Sequence, residues 1–108
     1  MKKLIFLALL GFSTPALAED ALFADMGGQP GIDRLVDASV DAYLADARIA
    51  PIFSESNIDR VRAEFKVQFC QVAGGPCQYT GHDMTAAHKG LHLTNADFNA
   101  VVEDLQGA

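Results

Sequence analysis

The sequence has few basic residues, and it lacks a long apolar run outside its first residues. Lysine and arginine total 8 against 14 aspartate and glutamate residues in a chain of 108, so the formal net charge is −6. A surface this acidic disfavours nucleic acid as a partner. Beyond residue 18 no apolar stretch approaches the ~20 residues that a membrane-spanning helix needs. We therefore expect no membrane association once the N-terminal segment is removed.

The N-terminal segment has the composition of a secretory signal peptide. Two lysines at positions 2 and 3 precede an apolar run over residues 4–12, and small residues follow, ending in Ala16-Leu17-Ala18. This order matches a signal peptide with an A-x-A cleavage site. We predict a signal peptide over residues 1–18 and one domain over residues 19–108, with a periplasmic or secreted location. An uncleaved membrane anchor is the alternative.

Cysteine is also scarce, with Cys70 and Cys77 on either side of Gly74-Gly75-Pro76. In an oxidising compartment such a pair more often forms a disulfide than stays reduced. A disulfide here would join the end of one helix to the following loop. Two reduced cysteines that pack in the core are the alternative that the sequence leaves open.

Helical periodicity dominates the chain, and neither strand alternation nor an internal repeat competes with it. A short helix over residues 21–26 is expected to stop at Gly27-Gly28, and a longer helix follows. A third helix is expected to begin after Ser56 or Asn57 and to end at Gly74-Gly75. The predicted apolar faces of these two longer helices are Ile32, Leu35, Val36, Val40, Tyr43 and Leu44 in the second, and Ile58, Val61, Phe65, Phe69 and Val72 in the third.

The C-terminal third begins with a polar loop and ends with a capped helix. The loop runs from Pro76 to about Met84, and one apolar helical turn is expected over residues 86–91. The sequence Thr94-Asn95-Ala96-Asp97 resembles a capping box that opens a last helix. The predicted apolar face of that helix is Phe98, Val101, Val102 and Leu105. The fold class is all-α.

Three histidines, His82, His88 and His92, could carry chemistry, and His88 has the best setting because it lies on a short turn between a loop and a capped helix. Taken alone, His88 fits a surface position or a hydrogen-bonded core position. The four-residue spacing from His88 to His92 also allows two imidazoles on one helical face to bind zinc or copper.

Five features follow one another in an order that is more specific than any of them alone. They are Gly27-Gly28; the run from Leu44 through Ala45-Asp46 to Ala50-Pro51-Ile52-Phe53; Gly74-Gly75-Pro76; Tyr79-Thr80-Gly81; and Met84, His88 and Phe98. Together they resemble the group 1 truncated haemoglobins over about residues 21–105. The resemblance implies a shortened globin-like two-over-two helical sandwich with haem b as cofactor. Family members usually continue beyond the position of Ala108, so we expect the final helix to be missing and the haem pocket to be open on one side, or covered by a homodimer partner.

The resemblance also implies roles for particular residues. His88 matches the proximal ligand of haem iron, for which a neutral imidazole is suited. Phe53 matches a phenylalanine that packs on the haem face, and Tyr79 matches a structural position in the loop. Apolar positions on the proximal side are matched by Met84, Leu93 and Phe98.

On the distal side the sequence departs from the pattern that many family members share. Val40, Val61 and Phe65 are expected to face the sixth coordination position of iron. Many members have tyrosine at the position of Val40 and glutamine at that of Phe65, and these groups donate hydrogen bonds to bound O2. None of the three residues here can donate one. Tyr43, one helical turn beyond Val40, is expected to pack at the rim of the pocket.

These expectations favour a carrier or sensor that reversibly binds O2, NO or CO at iron opposite His88. His82 or His92 as a sixth iron ligand is an alternative within this interpretation. A nitric oxide dioxygenase or peroxidase-like enzyme is the second hypothesis, and it would require a separate reductase as electron donor. The third is a helical interaction module without a cofactor.

Overall fold

The computed structural model describes residues 21–108, and the predicted signal peptide lies outside this range. After a helical segment over residues 21–25 come α1 (Gly28–Ala45), a 3-10 turn (Ala50–Phe53), α2 (Ile58–Val72), α3 (Met84–His88) and α4 (Asn95–Gly107). The described residues contain no strand, which confirms the all-α prediction. None of the helices in this part of the chain has the length and apolar composition needed to span a membrane.

The core forms around α1. Ile32, Val36 and Val40 are fully buried and recur at four-residue steps, so they lie on one side of the helix. This side packs against α2, α4 and the 3-10 turn. Ser39 is also fully buried, and its hydroxyl donates to the carbonyl oxygen of Leu35 over 2.7 Å. The α1 helix is therefore the element on which the other described helices converge.

Two of the predicted helix starts are capped by side chains. The Asn57 side chain accepts a hydrogen bond from the backbone N–H of Arg60, which decides between the two caps proposed for α2. At α4, the Thr94 hydroxyl accepts from the Asp97 N–H, and the Asp97 carboxylate accepts from the Thr94 N–H. Each cap satisfies backbone donors that the first helical turn leaves free. The predicted capping box is confirmed.

Four details of the predicted faces are wrong. Val72 is 78% exposed at the end of α2, so it is not part of the buried face of that helix. Leu44 is 38% exposed and not part of the buried face of α1, because that face ends at Tyr43. Phe98 is 66% exposed, while the small residue Ala100 is fully buried and packs in the core together with the partly buried Val101. The apolar turn expected at residues 86–91 is instead the helix α3, from Met84 to His88.

Ion pairs join the helices outside the core. On the polar side of α1, the Asp37 carboxylate binds Arg62 and Lys66 of α2 at 3.1 Å each, and these cations lower the pKa of Asp37. Arg48, in the segment after α1, binds Asp46 at 2.7 Å and Glu103 of α4 at 2.8 Å. These pairs connect α1 to α2 and the 46–48 segment to α4.

The loop between α2 and α3 is fastened by a disulfide. Cys70 and Cys77 are bonded, with their Cα atoms 5.8 Å apart, which confirms the favoured alternative for this pair. Gly74, between them, has φ +86, a conformation that is cheap only for glycine. Two further bonds hold the loop: the Tyr79 N–H donates to the Gln71 side chain, and the Tyr79 hydroxyl donates to the His82 carbonyl over 2.8 Å. This geometry agrees with a structural role for Tyr79.

We expect Gly31→Ala to destabilise the fold. A Cβ atom at Gly31 would lie 1.7 Å from the carbonyl oxygen of Met26, so the backbone must shift to admit it. Forced overpacking of this kind costs roughly 1–3 kcal/mol of unfolding free energy, which chemical denaturation will measure. Gly107→Ala is the matched control, because nothing lies within 4 Å of a Cβ there. Equal stabilities for the two variants would contradict the close approach at Gly31.

We expect the double variant Cys70→Ser/Cys77→Ser to unfold with about 2 kcal/mol less free energy than the oxidised native protein. The bond closes a short loop of sequence separation 7, so it restricts the unfolded chain only modestly. Urea denaturation with and without a reducing agent measures the effect. The reducing agent should lower the free energy of unfolding of the native protein and leave that of the double variant unchanged. If it lowered both, the disulfide would not be the cause of the loss.

Candidate functional site

His88 is the last residue of α3, and the orientation of its imidazole is fixed by a local contact. Asp83 caps the start of the helix, because its side chain accepts from the Ala86 N–H over 2.8 Å. The Nδ1 atom of His88 lies 2.6 Å from the carbonyl oxygen of Met84, one helical turn earlier. A carbonyl oxygen only accepts, so Nδ1 carries the proton and donates it. The neutral ring then keeps its lone pair on Nε2, which is the atom available to a metal.

The chain around His88 carries apolar side chains that the protein itself does not bury. Met84, Leu93 and Phe98 are 42%, 45% and 66% exposed, respectively. They are therefore not core residues of the folded chain. Burying such surface stabilises a complex by roughly 25 cal/mol per Å². This segment has the character of a binding surface for an apolar partner.

The α2 helix provides a second apolar surface. Val61 and Phe65 are half-buried and lie one turn apart on the same side of the helix, and Phe65 stacks on Phe69 with ring centroids 5.9 Å apart. Gln68, one turn further along that side, contacts the Met84 sulfur atom of α3 at 3.4 Å. The third residue expected on the distal side, Val40, is fully buried in the core on α1. None of these three expected distal residues offers a hydrogen-bond donor.

Phe53 and Tyr43 form a parallel stack, with ring centroids 6.0 Å apart and 2° between the ring planes. Tyr43 is only 3% exposed, so the expectation that it packs at a rim is wrong. Burial raises the pKa of Tyr43, the nearby Asp104 carboxylate raises it further, and a hydrogen bond with Ser39 lowers it. Tyr43 is therefore a buried residue of the core that stacks on Phe53. Phe53, the other ring of this stack, is half-buried.

The structure does not support a zinc or copper site at His88 and His92. Because α3 ends at His88, and His92 has a positive φ of 52, the two imidazoles do not share a helical face. His82 is also exposed, in the preceding loop. Within residues 21–108 no cluster of three or more histidine, cysteine, aspartate or glutamate side chains is placed to hold a metal ion.

A cavity of about 290 Å³ lies between α2 and the loop after the disulfide. Arg60, Glu64 and Val67 line it from the helix, and the segment Tyr79-Thr80-Gly81 lines it from the loop. The helical periodicity of the sequence does not predict this cavity. Its only signal in the sequence is the spacing of Arg60, Glu64 and Val67, which places them on one side of α2.

These features together define the kind of ligand that the site accepts. One imidazole has a fixed orientation and a free Nε2 lone pair, exposed apolar side chains lie on the chain before and after it, and α2 presents a further apolar face. A flat apolar ring with a metal centre satisfies both requirements, because the metal takes the imidazole and the ring covers the apolar groups. The residues present therefore fit haem, the cofactor that the sequence resemblance implied.

Known proteins that match this chain belong to the family that its sequence resembles. The chain matches the family model of bacterial-like globins over residues 21–108. It is 31% identical over 87 residues to a group 1 truncated haemoglobin of Tetrahymena thermophila, covering 81% of this chain and 72% of that protein. It is 35% identical over 88 residues to a group 1 truncated haemoglobin of Synechocystis, covering 78% and 71%.

Solved structures agree with the sequence matches. The Fe(III) form of the truncated haemoglobin of Tetrahymena pyriformis superposes with a TM-score of 0.75 at 30% identity, covering 80% of this chain and 74% of that one. The two-over-two haemoglobin of a Synechococcus species, in the cyanomet state with covalently attached haem, gives a TM-score of 0.72 at 27% identity, covering 78% and 72%. The predicted helical sandwich is confirmed.

Proposed function

This chain belongs to the bacterial-like globin family, and it is similar to the group 1 truncated haemoglobins. On that premise we propose that it binds haem and, through the haem iron, a diatomic gas. The observation that carries the proposal is the contact from His88 Nδ1 to the Met84 carbonyl oxygen. It presents Nε2 as a proximal ligand at the position that the family resemblance assigns to that role. When bound, the haem iron supplies a coordination position for O2, NO or CO.

The protein residues have three tasks in this function. His88 would hold the metal through Nε2, and its bond to Met84 fixes the tautomer and the ring orientation. Met84, Leu93 and Phe98 would provide the apolar surface on the proximal side. Val61 and Phe65 would exclude water from the gas-binding side, and Phe65 packs against the core to which Val40 belongs.

The apolar character of the distal residues favours a gas carrier or sensor over an enzyme. A partly negative O2 ligand is stabilised by a hydrogen-bond donor, and Val40, Val61 and Phe65 supply none. We therefore propose rapid O2 release and relatively better retention of CO or NO. Nitric oxide dioxygenase or peroxidase chemistry would additionally need a reductase on a separate chain.

We also propose that the protein acts in the periplasm or outside the cell. The pattern of residues 1–18 supports this location, and the Cys70–Cys77 disulfide is compatible with an oxidising compartment. We further propose a homodimer in which the second copy shields the proximal side, because Phe98 and Leu93 are exposed in the single chain.

We expect the purified protein to give a shifted Soret band with haem and, after reduction, a CO adduct. His88→Ala should weaken or alter both bands because it removes the proximal Nε2 ligand, and absorption spectroscopy measures this. His82→Ala and His92→Ala are matched controls, since both histidines are exposed and neither has a neighbouring ligand set. Spectra that are identical for the native protein and His88→Ala would contradict the assignment.

We expect Val61→Gln to slow O2 dissociation roughly tenfold, because the new amide can donate a hydrogen bond to the ligand. Flash photolysis or stopped-flow mixing gives the rate. The same substitution at Val72, which is 78% exposed at the end of α2, is the control and should change nothing. Tyr43→Phe should also keep the native rate, because Tyr43 is buried in the core and stacks on Phe53. A large acceleration in Tyr43→Phe would overturn the apolar-pocket proposal.

A further inference from the structure

The cavity between α2 and the 79–81 loop adjoins the apolar face of α2. Successive residues of an α-helix are about 100° apart, so Arg60 lies roughly a quarter turn from Val61. In the same way Val67 lies a quarter turn from Gln68, which contacts Met84 of α3. A flat ligand that covers Val61 and Phe65 therefore has one edge at the cavity. Haem carries two propionate carboxylates on one edge and is apolar elsewhere.

A cation beside those carboxylates strengthens binding, and this protein has few cations to offer. Its formal net charge is −6, so its overall field repels an anionic ligand. Among the described residues, Lys66 and Arg62 bind acidic side chains of α1, and Arg48 binds Asp46 and Glu103. The cations that remain are Arg34, Arg60 and Lys89.

Arg60 is the only one of these three that lines the cavity. Its single ion pair runs from Nε to Glu64 Oε1 over 3.1 Å, between partners that are both substantially exposed. The two terminal nitrogens of the guanidinium group have no acceptor among the described residues, so they can form a two-pronged contact with a carboxylate. An exposed pair such as Arg60–Glu64 contributes little by itself, and Arg60 can turn to a ligand at small cost.

We propose that the cavity is the propionate-binding edge of the haem site, with Arg60 as the residue that binds a propionate. This inference rests on the proposed haem-binding function. Glu64 shares the cavity and has the opposite effect, because its carboxylate both occupies Arg60 and repels the propionates. Arg60 and Glu64 thus set how tightly haem is held, and they do so without contact with the gas.

The experiment compares haemin with its dimethyl ester, in which both propionates are uncharged. Each form is loaded on the native protein, and its release to an excess of a tighter-binding apoprotein is followed by absorbance. Arg60→Gln should release haemin roughly 3- to 10-fold faster than the native protein, and Glu64→Gln should release it more slowly. Both variants should release the dimethyl ester at the native rate, which also shows that they are folded.

Arg34→Gln is the matched control, because it removes the same charge at a position that does not line the cavity. If Arg60 and Glu64 merely stabilised α2 through their ion pair, both substitutions would accelerate release of both ligands, and the proposal would fail. An effect of Lys89→Gln without one of Arg60→Gln would move the propionate site to α3 and overturn the assignment. If the native protein retained neither ligand, the haem-binding function itself would fail together with this inference. Retention of both ligands with no effect of Arg60→Gln would overturn the inference alone.

Discussion

The burial of one side of α1 is the contact on which the described structure depends. Ile32, Val36 and Val40 are completely removed from solvent, and α2, α4 and the 3-10 turn all pack against that side of the helix. A domain of this size has a large surface for its volume, so a single apolar stripe must provide most of its hydrophobic stabilisation. The ion pairs of Asp37 and Arg48 then align the helices at the surface, where each pair contributes little on its own.

The consequence of this arrangement is that α3 and the residues around it are left outside the protein core. The loop before α3 is fastened by the Cys70–Cys77 bond and by Tyr79, yet Met84, Leu93 and Phe98 remain exposed. A bound haem would bury this surface and add the core contacts that the polypeptide lacks. Cofactor binding and stability of the C-terminal half are therefore linked, since a ligand that binds only the folded chain stabilises it.

The site combines a fixed proximal imidazole with an apolar opposite face, and this division assigns different properties to different residues. In the proposed function, His88 would hold the metal, and the Met84 carbonyl would fix the tautomer of its ring. Val61 and Phe65 would influence which gas is retained, because they supply no donor. The cavity at Arg60 and Glu64 adjoins the apolar face of α2 and would take the charged edge of the cofactor.

The sequence by itself determined the helical class, the capping box at Thr94, the helix-ending glycines and the family to which His88 points. These features depend on local spacing, which the order of residues contains in full. Only the structure showed that Asn57 and not Ser56 caps α2, that Tyr43 is buried against Phe53, that Ala100 and not Phe98 meets the core, and that Arg60 shares a cavity with Tyr79. The last three of these facts depend on how segments distant in sequence pack together. Helical periodicity identifies an apolar side, but it does not say whether another helix, solvent or a cofactor will cover it.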